Sequence, residues 1–344
     1  MTDLRAAVNG GEDVVVIAEA GVNHNGDADL AHRLIDVAAA AGADVVKFQT
    51  FDPSKLVAPD TAATPYQKAR GASTQSDLLA ALALPGTVWR ELRDHAAEAG
   101  IAFLSTPFDS DSARLLVDLG VDALKVSSGE LTNLRFLREL AGLGVDMLVS
   151  TGMGSEQEVV AAAEACAAAP YLAMFHCVSA YPAPVEQCNL RAIPALHDRL
   201  GVPIGWSDHT PGLETALVAA ALGARLFEKH FTIDRTMEGP DHAASLEPDA
   251  LAEYVGALKS VPVMLGDGVK RRMPAEEENA VLVRRSWHAA RDLPAGHLLS
   301  GEDLVALRPE AGVSPATDLT GRTLVEPLRA GAPVSPAAVG GAPA

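Results

Sequence analysis

Short apolar runs rich in Val, Ile, Leu and Phe alternate along the chain with alanine-rich stretches whose apolar positions recur every three or four residues. The first run, residues 14–23, leads into a stretch where Leu30, Leu34 and Val37 fall at helical spacing and Gly42 supplies the stop. Runs at 44–50, 101–108, 123–130, 146–153, 171–179, 202–209 and 224–232 repeat the pattern, each followed by a helical stretch. Eight such units predict a closed parallel (β/α)8 TIM barrel. A doubly wound open sheet is the alternative, but polar residues gather at the C-terminal ends of all eight runs, and an open sheet would concentrate them at one switch point. A polar insertion without periodicity, 52–85, separates the second run from a helix expected around 85–99, and a stretch of that kind is usually functional or mobile.

The texture changes after residue 265. A charged connection, 266–285, leads to short β-like runs broken by Pro, Gly and Asp. The expected organisation is a barrel over 1–265, a linker over 266–285 and a small β-rich domain over 286–344, which buries too little alone and leans on a neighbour.

The 344 residues are 48% hydrophobic, yet no run approaches the ~20 apolar residues of a bilayer span. The N-terminus shows no export signal, so a cytoplasmic protein is expected. A formal charge of −18 argues against nucleic acid or an anionic membrane as partner, and leaves room for a small anion only where lysines and arginines converge in one pocket. Cys166, Cys177 and Cys188 fit neither a disulfide framework nor a zinc signature and read as buried thiols.

Side chains alternate along a strand, so Lys47 shares a face with Gln49, Ser207 with His209, and Glu228 with His230. His209 and His230 end the seventh and eighth runs, which are neighbours in a barrel, and Glu19 ends the first run, which borders the eighth on closure. Two imidazoles with carboxylates and water suit a borderline divalent ion such as Mn2+. Lys47 and Lys125 at strand ends need anionic partners if they point inward. Ser127, Ser128 and Gly129 beside Lys125 offer hydroxyls and close backbone approach to phosphate or carboxylate oxygens, and Tyr181 offers a ring to a polyol. His24 in the first loop is open to a catalytic role, a structural one or neither. His176 and Cys177 face opposite ways as strand neighbours, which argues against a nucleophile pair. No dinucleotide fingerprint or P-loop is present.

The stretches "AEAGVNHNGD", "VVKFQT", "FLSTPFD", "LKVSSGELTN", "STGM", "HCVSAYPAP", "WSDHT", "EKHFTIDRTMEGPDHAASLEPD" and "RPEAGVSP" occur in this order between about residues 14 and 335, and together resemble the sialic acid (nonulosonic acid) synthase family. The resemblance implies a TIM barrel followed by a C-terminal antifreeze-like (SAF) domain, in an enzyme that condenses phosphoenolpyruvate with an open-chain N-acetylated hexosamine, either N-acetylmannosamine or a 2,4-diacetamido sugar. It implies a divalent metal, Mn2+ before Mg2+ or Co2+, on His209 and His230, with Glu19 near the metal and its waters, where Glu19 is the candidate proton acceptor or water orienter. Lys125, Ser128, Ser179 and Ser207 fall at the family's phosphoenolpyruvate contacts, and Lys47, Gln49, Glu130, Tyr181 and Asp241 at its sugar contacts. Arg308 matches an arginine that reaches the partner's barrel in a domain-swapped homodimer. This chain departs from the pattern at Glu310, where Gly is common, and at Ser179, where some members have Asn; the family's sugar-binding asparagine has no counterpart that can be aligned in 52–85. Two rival readings stand beside this one. A synthase using another aldose acceptor would need a further Arg/Lys cluster for a second phosphate, and a silent barrel serving as a binding or assembly module would lack the lysine and histidine positions.

Overall fold

A computed structural model describes residues 13–58 and 75–340. These divide into two compact units, one ending at Gly266 and the other beginning at Asp267.

The first unit is built on eight parallel strands: β1 Val15–Gly21, β2 Val45–Thr50, β3 Ala102–Pro107, β4 Ala123–Val126, β5 Asp146–Ser150, β6 Leu172–Cys177, β7 Ile204–Asp208 and β8 Leu226–His230. Their order in the sheet is β3-β2-β1-β8-β7-β6-β5-β4, and β4 returns to stand against β3, closing a barrel. The strands are shorter than their apolar runs. Beyond the ladders the chain turns to start the next helix, and Ser128–Glu130 forms one turn of 3-10 helix.

The strands are apolar on both faces because both are covered. Val16, Ala18, Val46, Phe48, Trp206 and Phe227 pack outward against helix residues such as Leu34, Ile35, Leu92 and Leu137. Val15, Ile17, Val45, Leu104, Ala123, Leu148, Phe175 and Leu226 fill the barrel interior. Gly205 admits Phe175 there, since a Cβ would lie 2.8 Å from its ring. With a side-chain period of two, the inner face continues from this apolar layer to the strand ends. Ile17 is followed by Glu19, Val45 by Lys47 and Gln49, Ala123 by Lys125, and Leu226 by Glu228 and His230.

The insertion differs from its expected lack of structure in the part described. Pro53–Leu56 and Gln75–Leu82 are helical, the first capped by Asp52 through its acceptance from the Ser54 amide. An Asp-Pro start is a helix signal, but one turn is too short to show periodicity. Residues 59–74 lie outside the described residues. The helix that follows spans Val88–Glu98.

In the second unit β9 (Ser286–Ala289) pairs antiparallel with β10 (Leu304–Leu307), and isolated bridges such as Leu293 with Leu328 and Leu324 with Val339 tie in the rest. Ala289, Leu293, Leu299, Leu319, Leu324 and Val334 form its core. Buried Asp303 accepts from His297, Ser300 and Arg291, which in that order hold its carboxyl below the ordinary carboxylate range.

Candidate active site

The C-terminal end of the barrel is floored by two lysines and two glutamates, all almost fully buried. Lys47 Nζ lies 2.8 Å from Glu19 Oε2, donates to Thr106 Oγ1 at 3.1 Å, and stands 3.5 Å from Glu228 Oε2. Lys125 Nζ donates to Ser150 Oγ at 2.5 Å, also stands 3.5 Å from Glu228 Oε2, and lies 5.2 Å above the Phe175 ring. Ser207 donates to Glu228 Oε1 at 2.9 Å, and Gln49 donates to Glu19 Oε1 at 3.1 Å. Glu228 therefore joins both lysines.

Unequal surroundings split the two carboxylates. Burial pushes Glu19 up to about 7, with the charge of Glu228 adding to the effect and Lys47 opposing it. Burial also works against the charge of Glu228, but Lys125 and Lys47 together outweigh it and hold this carboxyl well below its ordinary value. Lys47 keeps its proton more firmly than usual, because Glu19 and Glu228 outweigh burial, whereas burial lowers Lys125. A cationic floor with one carboxylate near its titration point can bind an anion and exchange a proton.

Beside the floor stand His209 and His230, their ring centroids 5.6 Å apart. His230 is the ladder partner of Glu19 across the β1–β8 seam. His209 Nδ1 is bonded to the Val178 carbonyl oxygen at 2.8 Å, so that nitrogen carries the proton and Nε2 keeps its lone pair. His230 Nδ1 is buried without a hydrogen-bond partner. Burial lowers both, His230 to about 3, so both are neutral at pH 7. Among the described residues no three His, Cys, Asp or Glu side chains form a ready ligand set for a metal ion. Tyr181 lies across them, 4.2 Å from the His209 ring and 5.7 Å from that of His230.

A third cluster forms where β5 and β6 end. Ser128 Oγ accepts from the Gly152 amide at 3.0 Å and lies 3.2 Å from Cys177 Sγ. A Cβ on Gly152 would overlap Ser179 Oγ and approach Cys177 Sγ to 2.8 Å and Ser128 Oγ to 2.9 Å. Three polar side chains thus converge on a backbone that only glycine leaves open. Clustered hydroxyls against such a close backbone suit phosphate or carboxylate oxygens.

Residues 34–270 match the NeuB family and residues 284–340 the SAF domain. The chain belongs to the NeuB family. Its NeuB relatives include the N,N'-diacetyllegionaminic acid synthases of Campylobacter jejuni, 41% identical over 87% of this chain and 92% of that protein, and Legionella pneumophila, 41% identical over 92% of each. The human N-acetylneuraminate-9-phosphate synthase is 33% identical over 91% of this chain and 88% of its own length. Among solved structures, the N-acetylneuraminic acid synthetase of Leptospira borgpetersenii superposes with a TM-score of 0.70 at 34% identity, covering 78% of this chain and 91% of that one. This NeuB chain is accordingly an enzyme, an acid synthase built as a TIM barrel followed by an SAF domain.

Glu130 accepts from Asn133 at 2.8 Å on the turn after β4. Asp241 lies in the loop after β8, where its carbonyl accepts from Ser245. Arg308 is exposed in the second unit, just past β10. The neighbouring charge that set this chain apart is occupied elsewhere, since Glu310 lies 3.3 Å from Arg284 and 3.6 Å from Arg272. Ser207, expected to meet a ligand, is buried and donates to Glu228.

The sequence does not single out Thr106, Ser150 or Gly152, and Cys177 reads there only as a buried thiol. Inner-face parity marks Thr106, Ser150 and Cys177 as inward positions of their strands, and Gly152 lies in the turn just past β5. His24 is buried, accepts the Gly26 amide at 3.1 Å and is lowered by burial to about 4, the behaviour of a neutral turn residue. His176 bonds outward to the Cys188 carbonyl at 2.7 Å while Cys177 faces inward.

Proposed function

We propose that this chain condenses phosphoenolpyruvate with an open-chain N-acetylated hexosamine and water, giving a nonulosonic acid and inorganic phosphate, with a divalent ion on His209 and His230. The observation that carries the reading is the pairing of the Lys47–Glu228–Lys125 floor with two neutral imidazoles at the same end of the barrel.

The two histidines fit a metal. One has its Nδ1 proton held by a backbone carbonyl, the other has an unpartnered buried nitrogen, and neither is charged. When bound, a divalent ion, Mn2+ first among the candidates, would polarise the acceptor's carbonyl oxygen and lower the pKa of an adjacent water. The rest falls to the chain itself. Lys125 and Lys47 offset the charge of the carboxylate and of the departing phosphate in a dry site. The Ser128 and Ser179 hydroxyls hold anionic oxygens. Glu19, poised near neutrality, accepts or returns a proton at its carboxylate. The bond formed joins the enol carbon to the sugar carbonyl carbon, water supplies the new oxygen, and the bond broken releases phosphate.

For the acceptor we favour a 2,4-diacetamido sugar over N-acetylmannosamine, on the identity of 41% to the diacetyllegionaminic synthases against 33% to the human N-acetylneuraminate-9-phosphate synthase. We further propose a domain-swapped homodimer in which Arg308 of one chain completes the partner's site. Its exposure and the pairing of Glu310 with Arg272 and Arg284 support that role. No described helix is long and apolar enough to cross a membrane and the three cysteines are free, which suits the cytoplasm we propose.

Phosphate release from phosphoenolpyruvate with Mn2+, across a panel of acceptors, tests the reading. Release is expected with 2,4-diacetamido sugars and N-acetylmannosamine. Release with arabinose or erythrose phosphate alone, or with no acceptor at all, would overturn it.

A further inference from the structure

Asp208 and Lys229 form a buried ion pair on the side of the barrel wall that faces the helices, directly behind the two histidines. The parity that sends Ser207, His209, Glu228 and His230 inward sends these two outward. They are ladder partners, and theirs is the last pair of the β7–β8 ladder, so His209 lies beyond it. Lys229 Nζ is 2.9 Å from Asp208 Oδ2, with side-chain exposures of 2% and 0%. Asp208 Oδ1 accepts from the Thr210 amide at 2.9 Å, from Thr210 Oγ1 at 2.7 Å and from Thr215 Oγ1 at 3.3 Å. Tyr254 OH donates to Oδ2 at 3.3 Å, and Lys229 donates to the Thr210 carbonyl.

Buried ion pairs seldom add stability over apolar side chains of the same volume, so this one calls for another reason to exist. Its geometry supplies one. Thr210, the residue after His209, is gripped at its amide, its hydroxyl and its carbonyl, and the residue before His209 does part of the gripping. The other partner is the residue before His230. The pair therefore clamps the free end of β7 to β8 at the point where the two imidazoles diverge from the ladder.

We propose that Asp208 and Lys229 are positioning residues that set the spacing and aim of His209 and His230 for a divalent cation, an inference that rests on the metal reading above. The clamp touches neither ligand nor reacting atoms. Loosening it lets the His209 backbone move, and a bidentate site is sensitive to small movements.

The test is a Mn2+ titration of the full-length protein, read by the electron paramagnetic resonance of the free ion, with the metal-free melting temperature measured alongside. The double variant Asp208→Leu/Lys229→Met replaces the pair with apolar side chains and should stay folded. Its Mn2+ affinity should fall roughly tenfold or more. Thr215→Val keeps the pair and removes one bond to Asp208, so it should shift affinity in the same direction by less, and it decides the matter should the double variant fail to fold. A folded double variant, or in its absence Thr215→Val, with wild-type Mn2+ affinity would reduce the clamp to a structural staple. His209→Ala separates the two ideas. Lost affinity there with retained affinity in the clamp variants sinks the positioning role alone, and retained affinity in His209→Ala sinks the metal reading and the clamp with it.

Discussion

Glu19 and Lys47 face each other across the β1–β2 ladder with carboxylate and ammonium 2.8 Å apart, both almost wholly screened from water. Burial nevertheless lifts Glu19 from 4.5 to about 7, which makes it the titrating member of the pair. A group raised on folding favours its protonated form in the native state. Its contribution to stability is present below 4.5 and is lost as the pH rises through about 7. As a base it works only when ionised, so the catalytic sign is the reverse. We expect kcat/KM to fall as the pH drops through about 7, and Glu19→Gln to lose that limb together with about a hundredfold in rate. An unchanged acid limb in the glutamine variant would assign it to another group.

On the proposed metal reading, removing either imidazole would take away half of the protein's own grip on the ion. His209→Ala and His230→Ala should each abolish turnover while keeping the wild-type circular dichroism spectrum, and chelation should inactivate the wild type reversibly. Full activity of either variant after exhaustive chelation would remove the metal from the reaction.

Lys125 is the buried cation whose charge is least supported, with Glu228 at 3.5 Å as its anionic neighbour. Lys125→Met should lower kcat/KM for phosphoenolpyruvate by about thirtyfold to a thousandfold, and should affect saturation by phosphoenolpyruvate more than by the sugar. Steady-state kinetics with each substrate varied in turn would show it. Equal effects on both substrates would place the lysine elsewhere in the reaction.

Gly152 is closed to any side chain by Ser179, Cys177 and Ser128. Gly152→Ala must displace those groups and should weaken phosphoenolpyruvate binding by about tenfold or more, with a smaller effect on the sugar. Direct titration with phosphoenolpyruvate measures this, and unchanged affinity would show that the cluster holds no substrate.

The proposed exchange of SAF domains predicts complementation between inactive chains. Mixtures of His230→Ala and Arg308→Ala chains, under conditions where subunits exchange, should recover about a quarter of wild-type activity, because half the barrels are intact and half of those meet an intact Arg308. Truncation near residue 283 should leave a metal-binding barrel with little synthase activity. A fully active truncated barrel would leave the SAF domain without a catalytic part.

Much of this molecule is written locally. The period-two alternation in residues 14–23, 44–50 and 224–232 placed Glu19, Lys47, Gln49, Glu228 and His230 on common faces before any fold was known, because a pleat allows no other arrangement. The eightfold recurrence of strand and helix determined the barrel, and with it the end at which polar side chains gather. What the sequence left open was which of these side chains meet. Glu228 could have faced the histidines alone, and the ring instead sets it 3.5 Å from lysines on β2 and β4. His209 and His230, 21 residues apart, come within 5.6 Å only because β7 and β8 are adjacent and their ends are clamped. Glu310, a charge beside Arg308 in sequence, turns to Arg272 and Arg284 in space. Alternation and helix spacing belong to neighbouring residues and survive in the bare sequence. Partnerships depend on strand register, on barrel closure and on competition among charges in a dry interior, and those exist only once the chain has folded.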